Sequence, residues 1–151
     1  VKGQAGAPGE LSGSFASDEV YGSLYQNTET GVFGELNEEF LTVQDSVPVL
    51  NKQEVKTGDA IIRCTLDDGG IKEYEIQIEK IDLNEKALTK NMVISVTDPE
   101  LLDKTGGIVQ GMSGSPILQD GKLVGAVTHV FVDNPTKGYG IFAENMLKTA
   151  A

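Results

Sequence analysis

Gly111-Met112-Ser113-Gly114-Ser115-Pro116, running on into Ile117-Leu118-Gln119-Asp120-Gly121-Lys122-Leu123-Val124, decides the reading of this chain. The hexapeptide has the pattern Gly-x-Ser-Gly-x-Pro. Gly111 and Gly114 allow backbone angles that other residues avoid and let a substrate carbonyl come close. The N–H groups of Gly111 and Ser113, on either side of Met112, can then face one small concavity, an oxyanion hole on the Gly111-Met112 backbone. The Ser113 hydroxyl stands at its edge as a candidate nucleophile. A plain glycine-serine turn between two strands has a similar composition. The run from Ile117 to Val124 weighs against that plainer reading. Asp120-Gly121 is a two-residue hairpin signal between apolar strands.

Working outward, the chain reads as strongly β. Ile71 to Ile81 alternates, with Tyr74, Ile76 and Ile78 apolar and Glu73, Glu75, Gln77 and Glu79 polar, so one face is buried and one wet. Strands are also expected near Val20–Leu24, Gly31–Leu36, Val47–Val49, Gln53–Lys56, Ala60–Leu66, Met92–Val96 and Tyr139–Phe142. Asp67-Asp68-Gly69-Gly70 is a tight connection, and Asn27 to Gly31 a turn. Asp98 before Pro99 has the form of an N-cap with proline at the first helical position. Ala143 to Ala150 forms a C-terminal helix with Met146 and Leu147 facing inward. Roughly nine to eleven strands with little helix indicate an all-β barrel or sandwich.

Composition bounds the function. The chain has 151 residues, enough for one domain with a substantial core. A net charge of -11 argues against nucleic acid and against an anionic membrane surface. No apolar run is long enough to span a bilayer. Cys64 is the single cysteine, cannot form an internal disulfide, and reads as a small core residue. Glu35-Leu36-Asn37-Glu38-Glu39 reads as a solvated acidic loop, and neither a metal nor another cofactor is expected. The glycine-rich first 18 residues read as a loop, or as the start of a cut or truncated piece, with no signal-peptide pattern.

The order Gly-x-Ser-Gly-x-Pro, hairpin, then Val124-Gly125-Ala126-Val127 resembles the C-terminal barrel of chymotrypsin-like serine peptidases. At greater length the likeness sharpens. Val96-Thr97-Asp98-Pro99-Glu100-Leu101-Leu102, Gly106-Gly107-Ile108-Val109-Gln110, the hexapeptide, Thr128-His129-Val130-Phe131-Val132 and Pro135-Thr136-Lys137-Gly138-Tyr139-Gly140 are similar to the SpoIVB sporulation serine peptidases. The resemblance is tight from Val93 to Leu147 and extends back to Gly6-Ala7-Pro8-Gly9-Glu10. It implies a chymotrypsin-like double β-barrel with an incomplete first barrel and a short C-terminal helix. Residues 1–45 would be the remainder of the first barrel with a glycine-rich loop, and 46–151 the barrel carrying Ser113.

The resemblance also implies roles. Thr128, His129 and Val130 would form the strand that binds substrate through main-chain hydrogen bonds, with the Thr128 hydroxyl near the catalytic carboxylate. Asp98 matches the family's triad aspartate, although its own sequence context equally fits a helix cap. The family's catalytic histidine lies before everything in this chain. His129, the single histidine here, matches a second histidine with a subsite or packing role. The implied activity is endopeptidase cleavage of a protein substrate in a sporulation signalling pathway, with self-cleavage typical. The implied place is outside the cytoplasm, between the forespore and mother-cell membranes, near a membrane-associated signalling complex. A catalytically incomplete binding or signalling module is the alternative, because the base is missing. An incomplete first barrel leaves an open strand edge, through which a homodimer is expected.

Overall fold

A computed structural model of the chain describes residues 14, 15, 17–41 and 46–150. Most of the glycine-rich start and the junction at 45/46 lie outside these. Eight strands and two helices follow in order among the described residues. β1 (Gly22–Thr28) and β2 (Gly31–Leu36) form a two-stranded sheet, and a 3-10 turn at Glu38–Phe40 follows. β3 (Gly58–Cys64), β4 (Lys72–Ile81), β5 (Met92–Val96), β6 (Pro116–Gln119), β7 (Lys122–Phe131) and β8 (Asn134–Phe142) close a barrel in the order β3-β4-β5-β8-β7-β6. α1 (Pro99–Thr105) joins β5 to the Ser113 loop, and α2 (Ala143–Ala150) ends the fold.

Period-two sequence builds the barrel. On β4, Tyr74, Ile76 and Ile78 are buried while Glu73, Glu75 and Glu79 are exposed. They meet Ile62, Ile94, Ile117, Val124, Val127 and Phe142 in one core. Burial of a large aliphatic or aromatic side chain of this kind contributes about 1.5–3 kcal/mol. The β6–β7 hairpin turns on Asp120 (φ 50) and Gly121 (φ 73), between the paired Gln119 and Lys122. Positive φ at both central residues is the I′ geometry that matches strand twist.

The structure departs from the sequence reading in three places. Gln53–Lys56 forms no strand, with Gln53 and Glu54 in a turn, and Val49 makes only an isolated parallel bridge to Leu123. β8 begins at Asn134, five residues before the expected Tyr139, because pairing with β5 and β7 carries Pro135 and Gly138 into the sheet. The first barrel is represented, among the described residues, by the β1–β2 hairpin alone. No helix among them is long and apolar enough to cross a membrane.

β7 and β8 approach each other closely. A Cβ at Gly125 would run into the Ile141 carbonyl oxygen, a backbone atom that cannot swing away. Gly125→Ala should therefore destabilise the barrel by about 1–3 kcal/mol or more, the scale of overpacking, read as a lower midpoint in urea unfolding. A surface tie also holds α1. Lys104 lies 2.6 Å from Asp67 and 2.6 Å from Glu100. The Lys104 ammonium, helped by the Gly69 N–H, holds the Asp67 carboxyl down at about 2. The tie is complete above the ordinary aspartate value of 3.8 and is lost as pH falls toward 2. NMR titration of Lys104→Ala should show the Asp67 midpoint moving up toward 3.8, kept somewhat below it by Gly69.

Candidate active site

The Ser113 loop is welded to β7 by main-chain hydrogen bonds. Gly114 N–H donates to the Val127 carbonyl at 2.8 Å, and Val127 N–H donates to the Ser115 carbonyl at 2.9 Å. Within the loop, Met112 N–H donates to the Val109 carbonyl and Ser115 N–H to the Met112 carbonyl. Gly111 (φ 99) and Gly114 (φ 90) take angles that L side chains rarely adopt. Met112 drives its side chain into the core, 3% exposed, as the loop's anchor. Upstream, the left-handed Gly106 ends α1 and Ile108 N–H bonds to the Pro135 carbonyl. The result is a rigid turn that presents Ser113 to solvent.

Two N–H groups flank the buried Met112 without an acceptor among the described residues, those of Gly111 and Ser113. They are the donors left for an incoming oxygen. The Met112 N–H is already spent on Val109, so the oxyanion assignment to Met112 narrows to its side chain as anchor.

Ser113 Oγ donates to the Thr128 carbonyl at 3.0 Å. Thr128 sits at a β-bulge: Val127 faces Gly140 and His129 faces Tyr139, so Thr128 is the extra residue on β7. Bulges of this kind re-aim groups beside active sites. The Thr128 hydroxyl donates to the Thr89 carbonyl at 2.9 Å and the Tyr139 carbonyl at 3.2 Å. It therefore faces backbone, correcting the expectation that it faces a carboxylate. Thr89 escaped the sequence reading, as did the buried Asn91. The Asn91 side chain bonds Ala87 O and receives Phe142 N–H, holding the β4–β5 loop in place. Neither carries a signal that sequence alone would reveal.

Beyond Ala126, β7 has no β6 partner, since β6 starts at Pro116 opposite Ala126. The edge from Thr128 to Val130 is thus open on the side of Ser113. His129 is exposed and makes no hydrogen bond to Ser113. Val130 is half-buried and its side chain packs on the core.

Asp98 has another post. Its carboxylate accepts the Leu101 N–H at 3.0 Å, capping α1, and the Glu75 N–H at 3.2 Å. Register also separates it from Ser113. Val127 is level with Gly140, and Gly140 with Met92 at the start of β5. β5 runs from there to Val96, about 13 Å along the strand direction at about 3.3 Å per residue, and Asp98 lies two residues beyond its end. The carboxylate of Asp98 and the hydroxyl of Ser113 share no hydrogen bond. Among the described residues there is also no group of three or more His, Cys, Asp or Glu side chains arranged to hold a metal. Asp98→Asn keeps a capping oxygen and should leave the unfolding midpoint nearly unchanged, whereas Asp98→Ala should cost about 1 kcal/mol. Equal loss in both variants would contradict the capping role.

Solved structures share this architecture. The chain superposes on Rv3671c from M. tuberculosis H37Rv, crystallised as a serine-to-alanine mutant in an inactive form, with a TM-score of 0.59 and 14% identity. That match covers 89% of this chain and 65% of the other. A second structure, the Rv3671c protease in an inactive form, gives 0.56 and 14%, covering 84% and 64%. The chain thus spans about two thirds of the length of these proteases, and shares their chymotrypsin-like fold. Among curated proteins none matches. The model of the SpoIVB peptidase S55 family matches residues 1–147, and the chain belongs to that family of serine peptidases.

Proposed function

We propose that this chain is the nucleophile-bearing part of a serine endopeptidase, with Ser113 forming an acyl-enzyme on a protein substrate and the general base supplied from outside residues 1–151. The Ser113 loop carries the reading. It holds a solvent-facing serine on a turn welded to β7, flanked by two N–H groups without acceptors among the described residues. An extended peptide laid along the open Thr128–Val130 edge would gain main-chain hydrogen bonds there. Its scissile carbonyl would take the Gly111 and Ser113 N–H groups as charge develops on oxygen. A base would accept the Ser113 proton and return it to the leaving amine, and water would then cleave the ester. Without a base, the hydroxyl rests on the Thr128 carbonyl.

Family membership supports a sporulation signalling role, with a protein substrate in a membrane-associated complex outside the cytoplasm, between forespore and mother-cell membranes. Self-cleavage belongs to the same proposal. A binding module without turnover is the second reading, favoured by the lack of a hydrogen bond between Ser113 and the single imidazole.

A fluorophosphonate probe tests the proposal. The chain alone should label slowly, and added free imidazole should speed labelling in the wild type while Ser113→Ala stays blank. His129→Ala should label within about twofold of wild type, since His129 is not the base. Fast labelling that His129→Ala abolishes would place the base in this chain and contradict the proposal. No labelling at high imidazole would favour the binding module.

A further inference from the structure

The β7 edge beside Ser113 has two faces, and one of them is already filled. In an antiparallel pair, residues directly opposite share a face of the sheet, and successive residues alternate faces. Val130 lies opposite Gly138, and His129 opposite Tyr139. Val130 packs on the core and marks the inner face, while the exposed His129 marks the outer one. An extended substrate pairing antiparallel with the Thr128–Val130 edge continues the same pleat. Its residue level with His129 points outward. The next residue toward Ser113, whose carbonyl meets the Gly111 and Ser113 N–H groups, points inward.

Ile108 occupies that inner face. Gly138 has no side chain, and the tip of Ile108 takes its place: a Cβ on Gly138 would stand 2.7 Å from Ile108 Cδ1. The segment carrying Ile108 lies flat on β8. Ile108 N–H donates to the Pro135 carbonyl at 2.7 Å, and a Cβ on Gly107 would run into the same carbonyl. Ile108 is 4% exposed, and Val109 and Met112 of the same loop are buried in the same core. Packed interiors of this kind give way only in part, so the wall cannot retreat without opening the core. Ile108 and Val130 are also apolar. Lys137, next to Gly138 in the chain, points to the outer face, where it meets Glu79 at 2.7 Å. A charged side chain turned inward would lose water and gain no partner from Ile108 or Val130. All of these groups belong to the closed barrel or to the loop bonded to it.

We propose, on the reading of Ser113 as the nucleophile, that Ile108 is a specificity-determining residue. With Val130 it closes the inner face of the substrate edge, so the residue that contributes the scissile carbonyl is small and uncharged: alanine, serine or glycine. A larger side chain would have to displace Ile108 or lift the peptide off β7.

The test uses the full 151-residue chain with free imidazole and a set of N-capped dipeptidyl fluorophosphonates. They differ only in the side chain next to phosphorus, which is that of Ala, Phe or Lys. Ser113 Oγ displaces fluoride from phosphorus, its proton passes to imidazole, and intact mass reads the rate. Each rate is divided by that probe's own hydrolysis rate in imidazole. The Ala probe should react at least about tenfold faster than the Phe and Lys probes, the scale on which a pocket sorts groups of different size. Ile108→Ala should narrow the Ala-to-Phe ratio at least about fivefold, with circular dichroism reporting the fold. Val130→Ala, at a half-buried position, should narrow the ratio in the same direction and serves if the Ile108 variant does not fold. Equal rates for the probes in the wild type, or a faster Phe or Lys probe, would overturn the inference and leave Ser113 as the nucleophile. A ratio unmoved in a folded Ile108→Ala chain would do the same. Labelling of Ser113 neither by these probes nor by a simple fluorophosphonate would contradict the nucleophile reading, and the inference with it.

Discussion

Two main-chain hydrogen bonds, Gly114 to Val127 and Val127 to Ser115, hold the site together. They turn a glycine-rich loop into an extension of the barrel wall. Val127 is itself buried, paired to Gly140 on its other side, so the loop inherits the rigidity of the core. Met112 adds a side-chain anchor on the same turn. With these in place, Ser113 has little freedom. The two neighbouring N–H groups find no acceptor among the described residues, because the loop's own turns use Met112 and Ser115 instead. Positioning of this kind reduces the reorganisation needed when charge forms on a substrate oxygen.

Much of this was legible in the residues. Asp120-Gly121 announced a two-residue hairpin, and both residues take the positive φ it requires. The alternation on β4 marked its buried face residue by residue. Asp98-Pro99 marked the start of α1, and Ala143 to Ala150 forms α2 over the expected span. These signals are local, which is why sequence carries them.

What sequence concealed is non-local. Asp98 offered both a capping motif and a match to a triad position, and only the register of β5, β8 and β7 shows how far it lies from Ser113. The extra residue at Thr128 has no compositional mark, because a bulge belongs to a pair of strands. β8 looked short because proline and glycine are poor strand formers, yet two flanking strands override that preference. The hairpin is what the described residues hold of the incomplete first barrel, and Leu24 and Leu36 on it are exposed.

A crystal structure of the chain after phosphonylation at Ser113 puts the oxyanion hole to its sharpest test. One phosphonyl oxygen should lie about 2.7–3.1 Å from both the Gly111 and Ser113 nitrogens, with Met112 N–H still bonded to Val109. An oxygen turned to solvent, or a loop that rearranges to offer the Met112 N–H, would overturn that assignment and the role given to the loop with it.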